Sequence, residues 1–93
     1  MTEKSFQDWC IKWARIHGVL VYKVEAIGKR GFPDLVMVAG GRVTFVELKN
    51  PNGAGRVSPL QKRTIQELRE NGASVYICAS REEFETIIAE LAD

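Results

Sequence analysis

The N-terminal stretch carries its apolar side chains at helical spacing, one every three or four positions. These positions are Phe6, Trp9, Cys10, Trp13 and Ile16. Thr2 is of a residue type that caps helix starts, and Gly18 is placed to end the helix. The pattern predicts a first helix that buries one face.

Four short runs rich in β-branched and aromatic residues predict strands. They cover residues 19–24, 35–39, 42–49 and 74–79. Gly40 and Gly41, between the second and third runs, are a tight hairpin signal. If these glycines form a two-residue loop, pairing begins with Ala39 and Arg42 and sets Asp34 directly opposite Glu47.

Two further helices complete the predicted order. Ser58 and Pro59 supply an N-cap and a first-turn proline for a helix that runs to Gly72. Ser80 and Glu83 have the spacing of a capping box, which opens a last helix. The predicted fold is an α/β domain of order αβββαβα, in which helices flank a mixed sheet. A right-handed crossover is expected if the third and fourth strands are parallel.

Size and composition indicate one domain, predicted to span residues 1–93, with 45% hydrophobic and 27% charged residues. The apolar runs are too short to cross a membrane, and the N-terminus lacks the order of a signal peptide. Cys10 and Cys78 form no CxxC pair and lie among apolar neighbours, which indicates reduced core cysteines. We therefore expect a cytoplasmic protein.

The net charge of +1 conceals a basic middle of the chain. Residues 12–63 contain ten Lys and Arg side chains but three Asp and Glu, whereas the remaining residues contain three bases and nine acids. A phosphate-rich partner would suit this distribution. A basic surface that is merely solvated is the alternative.

The predicted hairpin brings two carboxylates together. Asp34 and Glu47 would point to the same face of the sheet, with Cβ atoms roughly 5 Å apart. Their repulsion is costly unless a divalent cation lies between them, and such oxygen ligands suit Mg²⁺. Lys49 shares the face of Glu47 and could orient a water or offset charge on a phosphodiester. The alternative is a turn cap at Asp34 and a surface ion pair between Glu47 and Lys49.

Four sequence elements resemble one nuclease family. Gly31 to Asp34 (GFPD) followed by Glu47 to Lys49 (ELK) is similar to the PD-(D/E)XK signature. A helix beginning at Glu3 and the helix start Ser58 to Gln61 (SPLQ) resemble its virus-type replication-repair branch, the VRR-NUC domain. The resemblance covers about residues 3–88. It implies a restriction-endonuclease-like core and a metal-dependent endonuclease that hydrolyses DNA phosphodiesters.

The resemblance also assigns roles to residues. Asp34, Glu47 and the backbone carbonyl of Leu48 would be metal ligands, and Lys49 would be the catalytic lysine. Gln61 resembles the family's helix glutamine. Mg²⁺ is the implied cofactor, and Mn²⁺ is expected to substitute.

Two catalytic candidates lie on helices. Gln61 shares a helix face with Ile65, so we expect it to face inward near the end of the Lys49 strand. Its alternative is a buried amide that bonds local backbone. Glu3 shares the face of Phe6 and could hold a water molecule beside the metal, or act only as a partner of the helix dipole.

Basic residues near these motifs are the predicted DNA contacts. Lys29 and Arg30 lie in a glycine-rich loop before Asp34, where they could grip a phosphate backbone. The alternative is a solvated loop. Three further bases flank the start of the second helix and would extend the track: Arg56, Lys62 and Arg63.

The partners are expected from the family's stand-alone viral and bacterial members, several of which act on Holliday junctions as dimers. We expect the substrate to be branched DNA, such as a four-way junction in DNA repair, and the working unit to be a homodimer. The protein is expected to act in a bacterial cell and to be encoded by that cell or by a phage. The aromatic-rich first helix is a further reason to expect a subunit contact. The alternatives are a flap or structure-specific repair nuclease and a DNA-binding module without catalysis.

Overall fold

The computed structural model describes residues 2–25, 30–52 and 56–92. Within these residues the element order is αβββαβα, as predicted. The elements are α1 (Glu3–Ile16), β1 (Leu20–Lys23), β2 (Leu35–Ala39), β3 (Arg42–Leu48), α2 (Pro59–Glu70), β4 (Ser74–Cys78) and α3 (Arg81–Ala92). Thr2 caps α1 and Ser58 caps α2, each accepting a hydrogen bond from the backbone N–H three residues later. Ser80 accepts the same bond from the backbone N–H of Glu83, so all three predicted caps are confirmed.

The four strands form one mixed sheet in the order β1-β2-β3-β4. β1, β2 and β3 are antiparallel, whereas β4 runs parallel to β3. Ala39 pairs with Arg42, and Leu35 pairs with Val46, so the predicted hairpin register is confirmed. Gly40 and Gly41 both have positive φ, at 58° and 78°, which is the backbone that a two-residue hairpin loop of this type requires.

The inner face of the sheet packs against α1 and α3. The core there is apolar and includes Phe6, Cys10, Val21, Met37, Val46, Leu48, Cys78, Phe84 and Ile88. Cys10 and Cys78 are both free and buried. Trp9 and Trp13 are partly buried against this core and stack on each other, so the aromatic side of α1 is used for internal packing.

The outer face, on the other side of the sheet, is covered unevenly. α2 packs beside β4 on this side. Leu20 and Tyr22 of β1 and Val43 of β3 remain 57%, 58% and 53% exposed. No helix in the described residues is long and apolar enough to cross a membrane.

Candidate active site

One end of the β2–β3 hairpin gathers three polar residues. Asp34 immediately precedes β2, Glu47 lies near the end of β3, and Lys49 follows β3. One step beyond the Leu35–Val46 pair, the register sets Asp34 opposite Glu47 on the outer face. The backbone N–H of Leu48 donates to Oδ2 of Asp34 at 2.8 Å and fixes this carboxylate beside β3.

Glu47 is a buried carboxylate, only 1% exposed, whose two oxygens differ. Its Oε2 accepts hydrogen bonds from Nζ of Lys49 at 2.9 Å and from Nε2 of Gln61 at 2.8 Å. Its Oε1 is buried and has no hydrogen-bond partner in the described residues. Leaving a charged oxygen unpaired in the interior is costly, and a cation at Oε1 would remove that cost.

Gln61 joins α2 to these side chains. Its Oε1 accepts from Nζ of Lys49 at 2.8 Å and from the backbone N–H of Ser58 at 3.0 Å. The second bond completes a capping box at the start of α2. The same amide therefore bonds local backbone, as one interpretation predicts, and faces inward onto Lys49 and Glu47, whereas its catalytic role stays a prediction.

Gly31 lets the loop before Asp34 lie directly against the first turn of α2. Its φ is +80°, and a Cβ placed there would lie 3.1 Å from the backbone carbon and oxygen of Leu60. Backbone atoms in a helix cannot give way as a flexible side chain can. The sequence marks Gly31 as part of a motif, but only the structure shows why a side chain is excluded.

Burial raises the pKa of both carboxylates above the ordinary range. For Asp34, burial and the charge of Glu3 raise the pKa, whereas the hydrogen bond from Leu48 lowers it. For Glu47, burial and the charge of Asp34 raise the pKa, whereas the hydrogen bond from Lys49 lowers it. The two ionised groups therefore destabilise each other, which is the situation that a bound cation relieves.

The donor set fits Mg²⁺ held by few protein ligands. The described residues contain no group of three Asp, Glu, His or Cys side chains that could hold a metal. Glu3 influences both carboxylates electrostatically but is exposed and does not complete such a group. Mg²⁺ is commonly bound by one or two carboxylates, with waters and phosphate oxygens completing its shell. Asp34 and Glu47 meet that requirement, and the Leu48 carbonyl stays a predicted ligand.

Four of the five predicted DNA contacts lie within the described residues, close in sequence to elements of this site. Lys29 lies outside the described residues, whereas the other four predicted contacts are exposed. Arg30 adjoins Gly31, and Lys62 and Arg63 directly follow Gln61 in α2. Arg56 lies two residues before Ser58, the cap of α2.

Comparison with known proteins gives one consistent family. The sequence profile of the VRR-NUC domain matches residues 9–82. A solved structure described as a VRR_NUC domain superposes with a TM-score of 0.80, covers 94% of each chain, and is 28% identical in sequence. None of the curated proteins matches the chain. Because the profile covers well over half of the sequence and the fold agrees, the chain belongs to the VRR-NUC family of nuclease-type domains.

Proposed function

We propose that this protein is a Mg²⁺-dependent endonuclease that hydrolyses phosphodiester bonds in DNA. The observation that carries the proposal is the buried Glu47 carboxylate. One of its oxygens is held by Lys49 and Gln61, and the other has no partner in the described residues. A site with only a structural role would not benefit from an unpaired buried oxygen beside a second carboxylate.

The site residues divide the chemistry among them. Mg²⁺ held by Asp34, Glu47 and the Leu48 carbonyl would activate a water and neutralise charge on the phosphate. Lys49 presents an ammonium group that can offset negative charge developing on the phosphodiester. Gln61 holds that group at 2.8 Å and so keeps it aligned. Mn²⁺ prefers the same oxygen ligands and is expected to replace Mg²⁺.

The basic residues around the site would bind the DNA backbone. Arg30, Lys62 and Arg63 are exposed, and none of them pairs with a carboxylate in the described residues. Arg56, which is also exposed, is a further candidate contact, and Lys29 stays a prediction from the sequence alone. A substitution that removes one phosphate contact should flatten the salt dependence of duplex binding by roughly 0.9 in log–log slope.

The proposed substrate is a four-way junction in DNA repair. The finer expectation is that the protein selects branched DNA and acts in the cytoplasm as a homodimer. It rests on the resemblance to stand-alone family members and on the need for two active sites to make paired nicks. The outer face offers a second copy an apolar row made of Leu20, Val38 and Val43, which pair in succession across three strands.

The experiment is cleavage of a panel of linear, nicked, flapped and four-way DNA in Mg²⁺, Mn²⁺ and EDTA. We expect cleavage of branched DNA in either metal and none in EDTA. Asp34→Asn should abolish cleavage but leave DNA binding largely intact, because it removes a ligand and keeps the basic track. Equal cleavage by this variant and the parent would remove the active-site assignment, and binding without cleavage by the parent would favour a DNA-binding module.

A further inference from the structure

Leu60 is an apolar residue directly beside the proposed active site. Its side chain is 41% exposed, in the first turn of α2. The residue that follows it is Gln61, whose amide bonds Lys49 and Glu47. Partly exposed apolar side chains are common at protein surfaces, so what distinguishes Leu60 is its position and its surroundings.

The backbone that carries Leu60 is held from several directions. Ser58 and Gln61 close a capping box around it. The backbone N–H of Lys62 donates to the Ser58 carbonyl at 2.9 Å. On the loop side, a Cβ added at Gly31 would lie 3.1 Å from the Leu60 backbone. A ligand would therefore meet the Leu60 side chain without first having to order this turn, which lowers the cost of binding.

Leu60 lies at the edge of the buried face of α2. The buried residues of this helix are Thr64 and Ile65, and Gln61 is partly buried with them. Leu60 adjoins the side of the helix against which the loop at Gly31 packs. Shortening its side chain should therefore disturb the core little, so that a role in binding can be measured apart from a role in folding.

Basic residues adjoin Leu60 on both segments that meet here. Residues 56–63 contain three bases and no Asp or Glu, and Arg30 precedes the loop residue that lies against Leu60. Arg63 follows Leu60 by three positions, which makes the two side chains neighbours on one side of α2. These exposed cations are proposed above to bind the DNA backbone. An apolar side chain among them gains nothing from phosphates, so it suits another part of the same ligand.

The bases are the part of DNA that an apolar side chain can contact favourably. Proteins that distort DNA insert leucine or other apolar side chains between base steps, while other residues hold the backbone. Such an insertion costs stacking energy, and the cost is smaller where pairing or stacking is already interrupted. The branch point of a four-way junction is such a place, because strands exchange between arms there.

We propose that Leu60 is a wedge that inserts between bases at the branch point and thereby favours branched DNA over linear duplex. The inference rests on the proposed nuclease function and adds a residue that selects the substrate. Phosphate contacts at Arg30 and Arg63 would bind DNA of any shape, whereas Leu60 would distinguish the branch.

A fluorescent base tests the wedge directly, in EDTA so that the DNA stays uncut. The probe is a four-way junction with 2-aminopurine at the branch point, since the emission of this base rises when it loses its stacking neighbours. At saturating protein the parent should raise the emission, and Leu60→Ala should give roughly half of that rise or less. Leu60→Met keeps a long apolar side chain and should behave like the parent.

Two control variants separate the wedge from general effects. Ile16→Ala shortens an apolar side chain that is 70% exposed at the last residue of α1, the helix whose first residue, Glu3, acts on Asp34. It should leave both emission and affinity unchanged. Arg63→Ala should weaken binding of junction and linear duplex alike, but keep the rise in emission at saturation.

The preference for branched DNA gives a second measurement. Leu60→Ala should lower the ratio of junction affinity to duplex affinity about fivefold or more, the scale of leaving one or two methylene groups unburied. Binding of a linear duplex should stay as in the parent. Thermal melting close to that of the parent confirms that the fold is intact.

The outcomes separate the wedge from the nuclease. A parent that binds and cuts the junction without raising the emission would overturn the wedge alone, as would a Leu60→Ala variant with the full rise and the full junction preference. A change in molecular mass in Leu60→Ala with an unchanged rise would also overturn it, in favour of a protein contact. A parent that neither binds nor cuts DNA would remove the proposed function itself.

Discussion

The two ends of the outer sheet face depart from normal burial in opposite directions. Near the hairpin turn, Leu20 and Val43 are apolar and more than half exposed. At the other end, Glu47 is charged and 1% exposed, opposite Asp34. Apolar residues are usually inside and charged residues outside, and Oε1 of Glu47 has no hydrogen-bond partner in the described residues, so each end carries a feature that does not help the isolated chain to fold. Ligands would account for both features, a cation at one end and an apolar partner at the other.

The position of α2 accounts for the difference between the ends. Its first turn lies against Gly31, and Gln61 covers the carboxylate end. The helix then continues beside β4. The Glu47 carboxylate is thereby removed from water, which strengthens its interaction with a metal and with Lys49. The apolar row at the hairpin end receives no such cover from the described helices.

Among the variants that test this comparison, Glu47→Gln at the cation end should have the largest effect. Cleavage should fall by roughly 10²–10³-fold or more, the scale of losing one group that stabilises developing charge. The metal-free variant should melt at a higher temperature than the parent, because a buried charge is removed. Stabilisation by added Mg²⁺ should disappear. Activity assays and thermal melts with and without Mg²⁺ measure all three.

The raised pKa of Glu47 gives the same prediction a pH dependence. Because the folded state holds the proton more tightly, metal-free stability should fall as pH rises from the ordinary carboxyl range to the raised pKa, and stay constant above it. Glu47→Gln should weaken this decline. Glu85→Gln, at an exposed carboxylate of α3, is the matched control and should change neither melting nor cleavage. A Glu47→Gln variant less stable than the parent at neutral pH would contradict the account.

Gly31→Ala tests the contact between the motif loop and α2. A non-glycine residue at positive φ costs about 1–3 kcal/mol, and the close contact with Leu60 adds to that cost. Gly18→Ala is the matched control, since Gly18 has φ +77° but a Cβ added there would meet nothing within 4 Å. Denaturant unfolding should show a larger loss of stability for Gly31→Ala, with cleavage reduced as Gln61 shifts. Equal losses would indicate that the contact does not constrain the site.

Substitutions at Gln61 separate its role in capping α2 from its hydrogen bond to Glu47 in the proposed active site. Gln61→Glu keeps an acceptor for Lys49 and for the Ser58 N–H but replaces the donor to Glu47 with a third carboxylate. Gln61→Ala removes every bond. We expect Gln61→Glu to retain the stability of α2 while activity falls about 10–100-fold, the range for groups that orient metal ligands. Gln61→Ala should lose both. Full activity in Gln61→Glu would show that the bond to Glu47 is dispensable.

The sequence predicted the pairing of β2 with β3 well because loop length determines register. Two adjacent glycines fix a two-residue turn, and every pairing up to Leu35 and Val46 follows from it. Strand ends were less accurate, since β1 and β3 stop one residue before the predicted limits at Val24 and Lys49. At the strand ends, pairing depends on which other parts of the chain lie nearby, and the strand propensity of a residue does not encode this.

Contacts between distant elements could not be predicted in this way. The S-x-x-Q spacing indicated the cap at Ser58, but the bond from Gln61 to Glu47 depends on how α2 returns over the sheet. Trp9 and Trp13 pack against the core, and the contact of Trp9 with Phe84 of α3 could not be predicted from the sequence. The metal-binding roles of Asp34, Glu47 and Leu48 remain predictions.

The smallest expected effect concerns the apolar end and the proposed homodimer. A stable interface should bury about 1,200 Å² or more, and the apolar row would form its centre. Val43→Glu places a charge there and should raise the dimer dissociation constant about tenfold or more, since each 1.4 kcal/mol changes it tenfold. Because Val43 is 53% exposed, the subunit itself should stay folded.

Light scattering at micromolar concentration, together with junction cleavage, measures this effect. The parent should show twice the 10.4 kDa mass of one chain, and Val43→Glu should shift toward the single mass. Ile77→Glu is the matched control, because Ile77 is also an exposed outer-face residue but belongs to β4, beside α2. A single mass for the parent, with paired nicks still made, would mean that two copies meet only on DNA. The exposed row would then be ordinary apolar surface of the single subunit.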